Sequence, residues 1–352
     1  MPYFAEPAAV PPVVYGIRSH AALASDVAGL AGAEPGAVAV RVFPDGEIGM
    51  RLETSAQGRD AVLVAGTGSE ADTLEAFDLA HALAANGARS LLVLLAFFGY
   101  STKDSFSRPG DAVTSRSRAL LWSAVPPTPG GNRILILEPH SRSLPFYFPP
   151  PLRAGAVDAR PLVREMLAGS EPGDGVPVEG TAGADSADWT DRAGNGPVAC
   201  SPDVGRIKWV ETLASDLGWR TAAVLKRRLS GSEVESYGLC GDVAGRRVVL
   251  CDDLVRSGET LIQAARLCRD SGAAGVSAVA VHGAFVPGAL RKMRDSGLLD
   301  GLVCTDSHPR ARLEAAAWPG WLRVDPVADL LAGAVASSLG MEKAEPIPGR
   351  RS

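Results

Sequence analysis

A chain of 352 residues is long enough for two domains of ordinary size, and 46% hydrophobic against 21% charged residues describes a soluble globular protein. A net charge of −5 without a basic tract excludes a nucleic-acid backbone as the main partner. No apolar run approaches the roughly 18–20 residues of a membrane span, the Pro- and Ala-rich start Met1–Val14 lacks a signal-peptide pattern, and Cys200, Cys240, Cys251, Cys268 and Cys304 lack metal-ligand spacing, so a reduced, cytoplasmic protein is expected.

In chain order, Ala61–Ala65 reads as a buried strand and Glu70–Asn86 as a helix. Leu91–Phe98 is a second strand, Thr114–Ala124 a second helix, and Arg133–Leu137 a third strand ending in Glu138-Pro-His140. The pattern breaks at 169–197, where Gly, Pro and acidic residues dominate; a flexible surface insertion is expected there. Order resumes with a helix over Ile207–Leu217, a strand over Ala222–Leu225 and another over Arg247–Cys251. A helix over Leu261–Ser271 and strands over Val276–His282 and Gly301–Cys304 complete the series. The second half thus repeats the α/β logic of the first, with mainly parallel strands. The expected division is an N-terminal extension at 1–14, domains at 15–160 and 161–335, and a polar tail at 336–352.

The most informative stretch is Val248-Val-Leu-Cys-Asp252-Asp253-Leu-Val, followed by Arg256-Ser257-Gly258-Glu259-Thr260. A strand, a short Ser/Gly/Thr turn and a helix start point backbone N–H groups, hydroxyls and a helix dipole at one spot, which suits an anion. The paired carboxylates can hold ribose hydroxyls, so the stretch describes a ribose 5-phosphate pocket; an ordinary strand-turn-helix with an acidic cap has the same outline. Phe43-Pro-Asp45-Gly-Glu47 offers an aromatic and two carboxylates to an amino-purine, or is a plain acidic turn. His140 can bind a metal, act as a base or cap a loop. Asp203, within Ser201-Pro-Asp203-Val-Gly205-Arg206, suits Mg²⁺ through water or caps a helix. Lys226-Arg227-Arg228 provides cations for a polyphosphate, or a solvated basic patch.

Taken in this order the motifs resemble the phosphoribosyl pyrophosphate synthetase (ribose-phosphate diphosphokinase) family, over about residues 15–335 outside the insertion. The matching pieces are Phe43–Glu47, Phe97–Tyr100, Glu138–His140, Ser201–Gly205, Lys226–Arg228, Asp252–Thr260 and Thr305-Asp306. The stretch from Ala124 through Gly130-Gly131 to Phe146-Tyr-Phe looks closest to the phosphate-independent plant branch. The resemblance implies two tandem type I phosphoribosyltransferase-like domains, each with a mainly parallel sheet flanked by helices. It implies diphosphoryl transfer from Mg·ATP to ribose 5-phosphate in a homo-oligomer. Phe43, Asp45 and Glu47 would then hold adenine near a subunit interface, with Lys103 and His140 also at ATP. His140 and Asp203 would handle Mg²⁺, and Lys226 and Arg228 would clamp the transferring phosphate. Asp252 and Asp253 would fix the ribose hydroxyls, and Arg256, Ser257, Gly258, Glu259 and Thr260 would seat the 5-phosphate.

Four places depart from that pattern. Glu259 stands where the family usually has Gly and Arg256 where it often has Asp; Ser101–Asp104 replaces an Arg-Gln-Asp run, and Glu138 a usual Asp. A carboxylate about 4 Å from a phosphate charge costs about 4 kcal/mol at an effective dielectric near 20. Either Glu259 turns its side chain outward and contributes only its N–H, or the pocket is weakened, with Arg256 offsetting part of the cost; the enzyme reading expects the first. A non-catalytic regulatory paralogue and a phosphoribosyltransferase are the alternatives; intact Lys226 and Arg228 favour the enzyme over the first.

Overall fold

The computed structural model describes residues 10–106, 108–168, 196–228 and 235–341, with the backbone alone for 226–228 and 235–237. All of the expected insertion but Gly196 and Pro197 lies outside the described residues, as do 1–9 and 342–352. The chain divides into two compact units, Met1–Val157 with Ala328–Ser352, and Asp158–Val327.

The first unit runs β1 (Val13–Gly16), α1 (Ala21–Ala31), β2 (Glu34–Pro35), β3 (Val38–Val42), β4 (Ile48–Leu52), β5 (Asp60–Gly66), α2 (Glu70–Ala85), β6 (Ser90–Phe97), α3 (Thr114–Leu121), β7 (Asn132–Leu137) and β8 (Arg153–Val157). Its sheet has the order β2-β1-β5-β6-β7-β8, with every pair parallel. β5 is buried from Ala61 onward and β6 throughout, the signature of strands covered by helices on both faces. Ser69 caps α2 by accepting from the Asp72 N–H at 3.0 Å, and Glu70 and Asp72 face the positive end of the helix dipole. β3 and β4 form a separate antiparallel hairpin.

The second unit runs α4 (Arg160–Ala168), β9 (Val198–Ser201), α5 (Ile207–Leu217), β10 (Arg220–Arg228), β11 (Glu235–Cys240), β12 (Arg247–Val255), α6 (Glu259–Asp270), β13 (Gly275–Gly283), α7 (Ala289–Asp295), β14 (Leu302–Thr305), α8 (Pro309–Ala315) and β15 (Leu322–Asp325). The order is β11-β10-β9-β12-β13-β14-β15, and β10–β11 is its antiparallel pair. Both units therefore have the expected α/β architecture of mainly parallel sheets flanked by helices. Leu250, Val276, Phe285, Met293 and Trp321 are buried together in the core of this unit.

Three expectations are corrected. The second domain was expected to run to 335, but α9 (Ala328–Leu339) belongs to the first unit and packs on α1. Leu331, Ala332, Val335 and Ala336 bury its apolar side, and Arg133 donates to the Ser338 carbonyl. The strand expected to end at Cys251 continues to Val255, because pairing with β13 persists to Val255↔Gly283. The acid pair consequently lies inside β12, not beyond it. The hairpin β3–β4 and the edge strands β8, β11 and β15 gave too little apolar alternation to be found from sequence.

At the end of β6 the Phe97–Tyr100 motif has a packing reason. A Cβ on Gly99 would lie 1.9 Å from the Thr67 carbonyl oxygen, while the Gly99 N–H donates to Thr67 Oγ1 at 2.8 Å. Two strand ends thus meet backbone to backbone. Gly99→Ala is expected to destabilise the protein by about 3 kcal/mol, since backbone cannot yield as a side chain can. Urea unfolding of the variant checks this; an unchanged midpoint refutes the close-approach account.

Candidate functional site

In the second unit, β9 leads outward to β10 on one side while β12 lies on its other side. The crevice at the carboxyl ends of β9 and β12 is therefore a topological switch point, where open α/β sheets bind ligands. Ser201-Pro-Asp203 leaves β9 there and Asp252–Thr260 closes β12 there.

The loop after β12 owes its shape to one residue. Gly258 takes φ +74 and caps α6, and a Cβ on it would lie 2.4 Å from Cγ and Sδ of the buried Met293. A left-handed backbone pressed on a side chain leaves room for glycine alone. Ser257 Oγ accepts weakly from the Glu259 N–H at 3.4 Å, and the Arg256 carbonyl accepts from the Val286 N–H at 3.0 Å, tying the loop to the segment before α7. Arg256, Ser257, Glu259 and Thr260 are exposed. The 12-residue helix α6 begins at Glu259, so its positive end faces this loop.

The Glu259 carboxylate is taken up elsewhere. It pairs with the Lys292 ammonium on α7 and accepts from Gln263 Nε2 at 3.3 Å. The Lys292 contact holds its carboxyl below the usual range. The charge that the sequence places in an anion loop is thus answered by a cation 33 positions along the chain.

The two carboxylates of β12 are not equivalent. Asp253, 2% exposed, receives a two-point contact from Arg206: Nε to Oδ1 at 2.9 Å and Nη2 to Oδ2 at 2.7 Å. Asp252, 8% exposed, accepts from the Asp253 N–H at 2.9 Å. Burial, and then the charge of Asp253 beside it, pushes the Asp252 carboxyl well above the usual range; Asp203 adds to this. Asp203 Oδ1 accepts from the Gly205 N–H at 2.8 Å, forming the turn before α5. Asp203 is therefore not the N-cap; Arg206 occupies that position. Among the described residues no group of three His, Cys, Asp or Glu can hold a metal by itself. The carboxylates of this crevice are oxygen donors, which suits Mg²⁺ bound by one or two carboxylates and completed by substrate phosphates and water; His140, the other metal candidate, offers a ring nitrogen and lies in the first unit.

The remaining sequence candidates are spread over other elements. Lys226 and Arg228 lie among the last three residues of β10, in register with Tyr237 and Glu235 of β11. Phe43, Asp45 and Glu47 lie in the turn of the β3–β4 hairpin in the first unit. The turn closes through Phe43 N–H to the Glu47 carbonyl at 2.8 Å and Glu47 N–H to Asp45 Oδ1 at 3.1 Å. The Arg41 guanidinium lies 4.8 Å from the Phe43 ring centre. Lys103 is exposed after β6, and its carbonyl accepts from the Ser115 N–H at 3.2 Å and Ser115 Oγ at 3.0 Å. His140 is exposed after β7. Just before these two, Tyr100 and Glu138 have φ of +62 and +34, unusual for residues with side chains. Tyr100 is held there by Glu70 Oε1 at 2.5 Å and by Arg118 over its ring, itself paired with Glu70. Thr305-Asp306 is a brace: Asp306 accepts from the Val327 N–H at 2.9 Å and pairs with Arg312. Arg206 and Lys292 were missed from sequence; a lone Arg after Asp-x-Gly was the one available signal for the first, and none existed for the second.

Because Glu259 is already answered by Lys292, Glu259→Gly is expected to change the Michaelis constant for ribose 5-phosphate only a few-fold. Lys292→Ala leaves Glu259 unanswered beside the loop and is expected to raise it more. Steady-state kinetics of the two variants side by side decide this, and an equal or reversed ranking refutes the pairing as the reason Glu259 is tolerated.

Comparison with known proteins gives the same picture. Residues 13–125 match the family profile described as the N-terminal domain of ribose phosphate pyrophosphokinase, and 229–334 match the phosphoribosyl synthetase-associated domain. A ribose-phosphate pyrophosphokinase of Prochlorococcus marinus is 28% identical over 83% of this chain and 81% of its own. One from Methanosarcina acetivorans is 28% identical over 82% and 90%, and the chloroplastic form 2 of Oryza sativa 27% over 84% and 67%. The crystal structure of phosphoribosylpyrophosphate synthetase from Mycobacterium smegmatis superposes with a TM-score of 0.77 at 24% identity, covering 94% of this chain and 99% of that one, and shares the fold. With two family profiles spanning more than half its length and relatives aligned over most of the rest, the chain belongs to the ribose-phosphate pyrophosphokinase family.

Proposed function

We propose that this protein is a ribose-phosphate diphosphokinase, making phosphoribosyl pyrophosphate and AMP from ATP and ribose 5-phosphate. The observation that carries the reading is the switch-point crevice of the second unit, where a buried acid pair and a glycine-shaped helix entrance stand side by side. Arg256, Ser257, Gly258 and Thr260 seat the 5-phosphate with their N–H groups and hydroxyls, Glu259 contributing its N–H while Lys292 occupies its carboxylate. The acid pair Asp252-Asp253 as a unit serves the ribose hydroxyls. The anomeric hydroxyl, so oriented, attacks the β-phosphorus of ATP. The bond from that phosphorus to the oxygen bridging the α-phosphate breaks, AMP keeps the bridging oxygen, and the hydroxyl proton passes to solvent. Positioning and charge neutralisation dominate such a transfer. Lys226 and Arg228, at the end of β10, supply cations to the transferring group. Asp203 in the second unit and His140 in the first would each help to hold one of two Mg²⁺ ions, and such ions would supply charge neutralisation on the triphosphate.

The β3–β4 hairpin stands apart from the main sheet, and its exposed Phe43 suits stacking on adenine, with Asp45 and Glu47 for the amino group and Lys103 near the phosphates. A homo-oligomer, with this hairpin near a subunit interface, is part of the proposal. Among the described residues no helix is long and apolar enough to cross a membrane. The cysteine pattern of the sequence supports the cytoplasm as its compartment.

AMP release from Mg·ATP with a panel of pentose 5-phosphates tests the reading. Ribose 5-phosphate is expected to give AMP and phosphoribosyl pyrophosphate in equal amounts. Lys226→Ala is expected to lower turnover by about 10²–10³, the usual loss for one donor to a transition state, with sugar binding kept. A wild type that binds ribose 5-phosphate and forms no AMP overturns the reading in favour of a regulatory paralogue.

A further inference from the structure

We propose that Arg206 is a positioning residue of the sugar site: its two-point contact locks Asp253, so that Asp252 is the carboxylate left to meet the sugar. The inference rests on the sugar-phosphate reading of the crevice, not on the identity of the group transferred.

The geometry is specific. Arg206 occupies the N-cap of α5, directly after the Asp203–Gly205 turn, and is 7% exposed. The Arg206 Nε donates to Asp253 Oδ1 at 2.9 Å, and its Nη2 stands 2.7 Å from Oδ2 as an ion-pair contact. Two contacts from one planar cation hold a carboxylate in place better than a single ammonium can. Asp253 in turn orients its neighbour, since its N–H donates to Asp252 Oδ1 at 2.9 Å. A chain of contacts therefore runs from the guanidinium through Asp253 to Asp252. The charge of Asp253 also raises the cost of ionising Asp252. One side chain thereby joins the β9 turn to the β12 acid pair across the crevice.

Neither β12 carboxylate can be read as interchangeable on this account. Asp253 acts through Asp252, and Arg206 acts through Asp253. A lysine at 206 keeps the charge but loses the two-point contact, so it separates orientation from mere neutralisation.

Titration calorimetry with ribose 5-phosphate, on the full chain, tests the inference alongside AMP-release kinetics. Arg206→Lys is expected to weaken ribose 5-phosphate binding about tenfold, with the loss in KM more than in kcat. Arg206→Met is expected to weaken it further. In the double variant Arg206→Met/Asp253→Asn the losses should not add, because both substitutions break one contact. Thermal melting run in parallel separates this from loss of fold, and Arg206→Lys serves if Arg206→Met does not fold. Unchanged ribose 5-phosphate affinity in Arg206→Lys, whatever its melting temperature, overturns the inference, as does additivity in the double variant. A wild type that does not bind ribose 5-phosphate overturns it too. A wild type that binds the sugar phosphate but releases no AMP contradicts the diphosphokinase reading and leaves this inference to be judged on affinity alone.

Discussion

Two carboxylates side by side in a strand that water hardly reaches need a cation, and the second unit is arranged around meeting that need. Taking one partner from a buried ion pair typically costs about 3–5 kcal/mol, because the remaining charge has nowhere to go. Asp253 and Arg206 are such a pair. The pair ties the turn after β9, at the start of α5, to the acid pair within β12. The short Ser257-Gly258 turn falls at the start of α6, where an anion finds N–H groups rather than carbonyls.

The same logic, a charge answered from a distance, governs the residue most at odds with a phosphate loop. Glu259 sits at the first position of α6, favourable for the helix dipole and unfavourable for a bound dianion. Lys292 on the neighbouring helix settles the conflict without altering the backbone of the loop. The loop keeps its shape because Gly258 and Met293 set it, and Glu259 takes no part in that contact.

Much of this was legible in the sequence where apolar runs are long. β5, β6, β12 and β13 are buried along nearly their whole length, and their Val/Leu-rich sequences announce parallel strands. The motifs at their ends were legible as well, since Asp252-Asp253 and Ser257-Gly258 carry chemistry in residue type and spacing. What stayed hidden depends on contacts between distant positions. Nothing local says that Arg206 meets Asp253 or that Glu259 meets Lys292. Nor does anything in Ala328–Leu339 say which unit its apolar side covers, because a helix of small residues fits either. The short edge strands and the β3–β4 hairpin are half exposed, so their alternation is too weak to distinguish from loop.

The return of α9 to α1 bears on how the chain is made. The second unit is inserted into the first, which needs residues 328–339 to cover the apolar side of α1. During synthesis the amino-terminal portion emerges first yet lacks its closing helix, while the inserted unit has all its strands once residue 325 has been made. The order of birth and the order of completion are thus reversed: the first-made unit is the last to finish. Until then α1 carries an uncovered apolar strip, the kind of surface that chaperones bind in nascent chains.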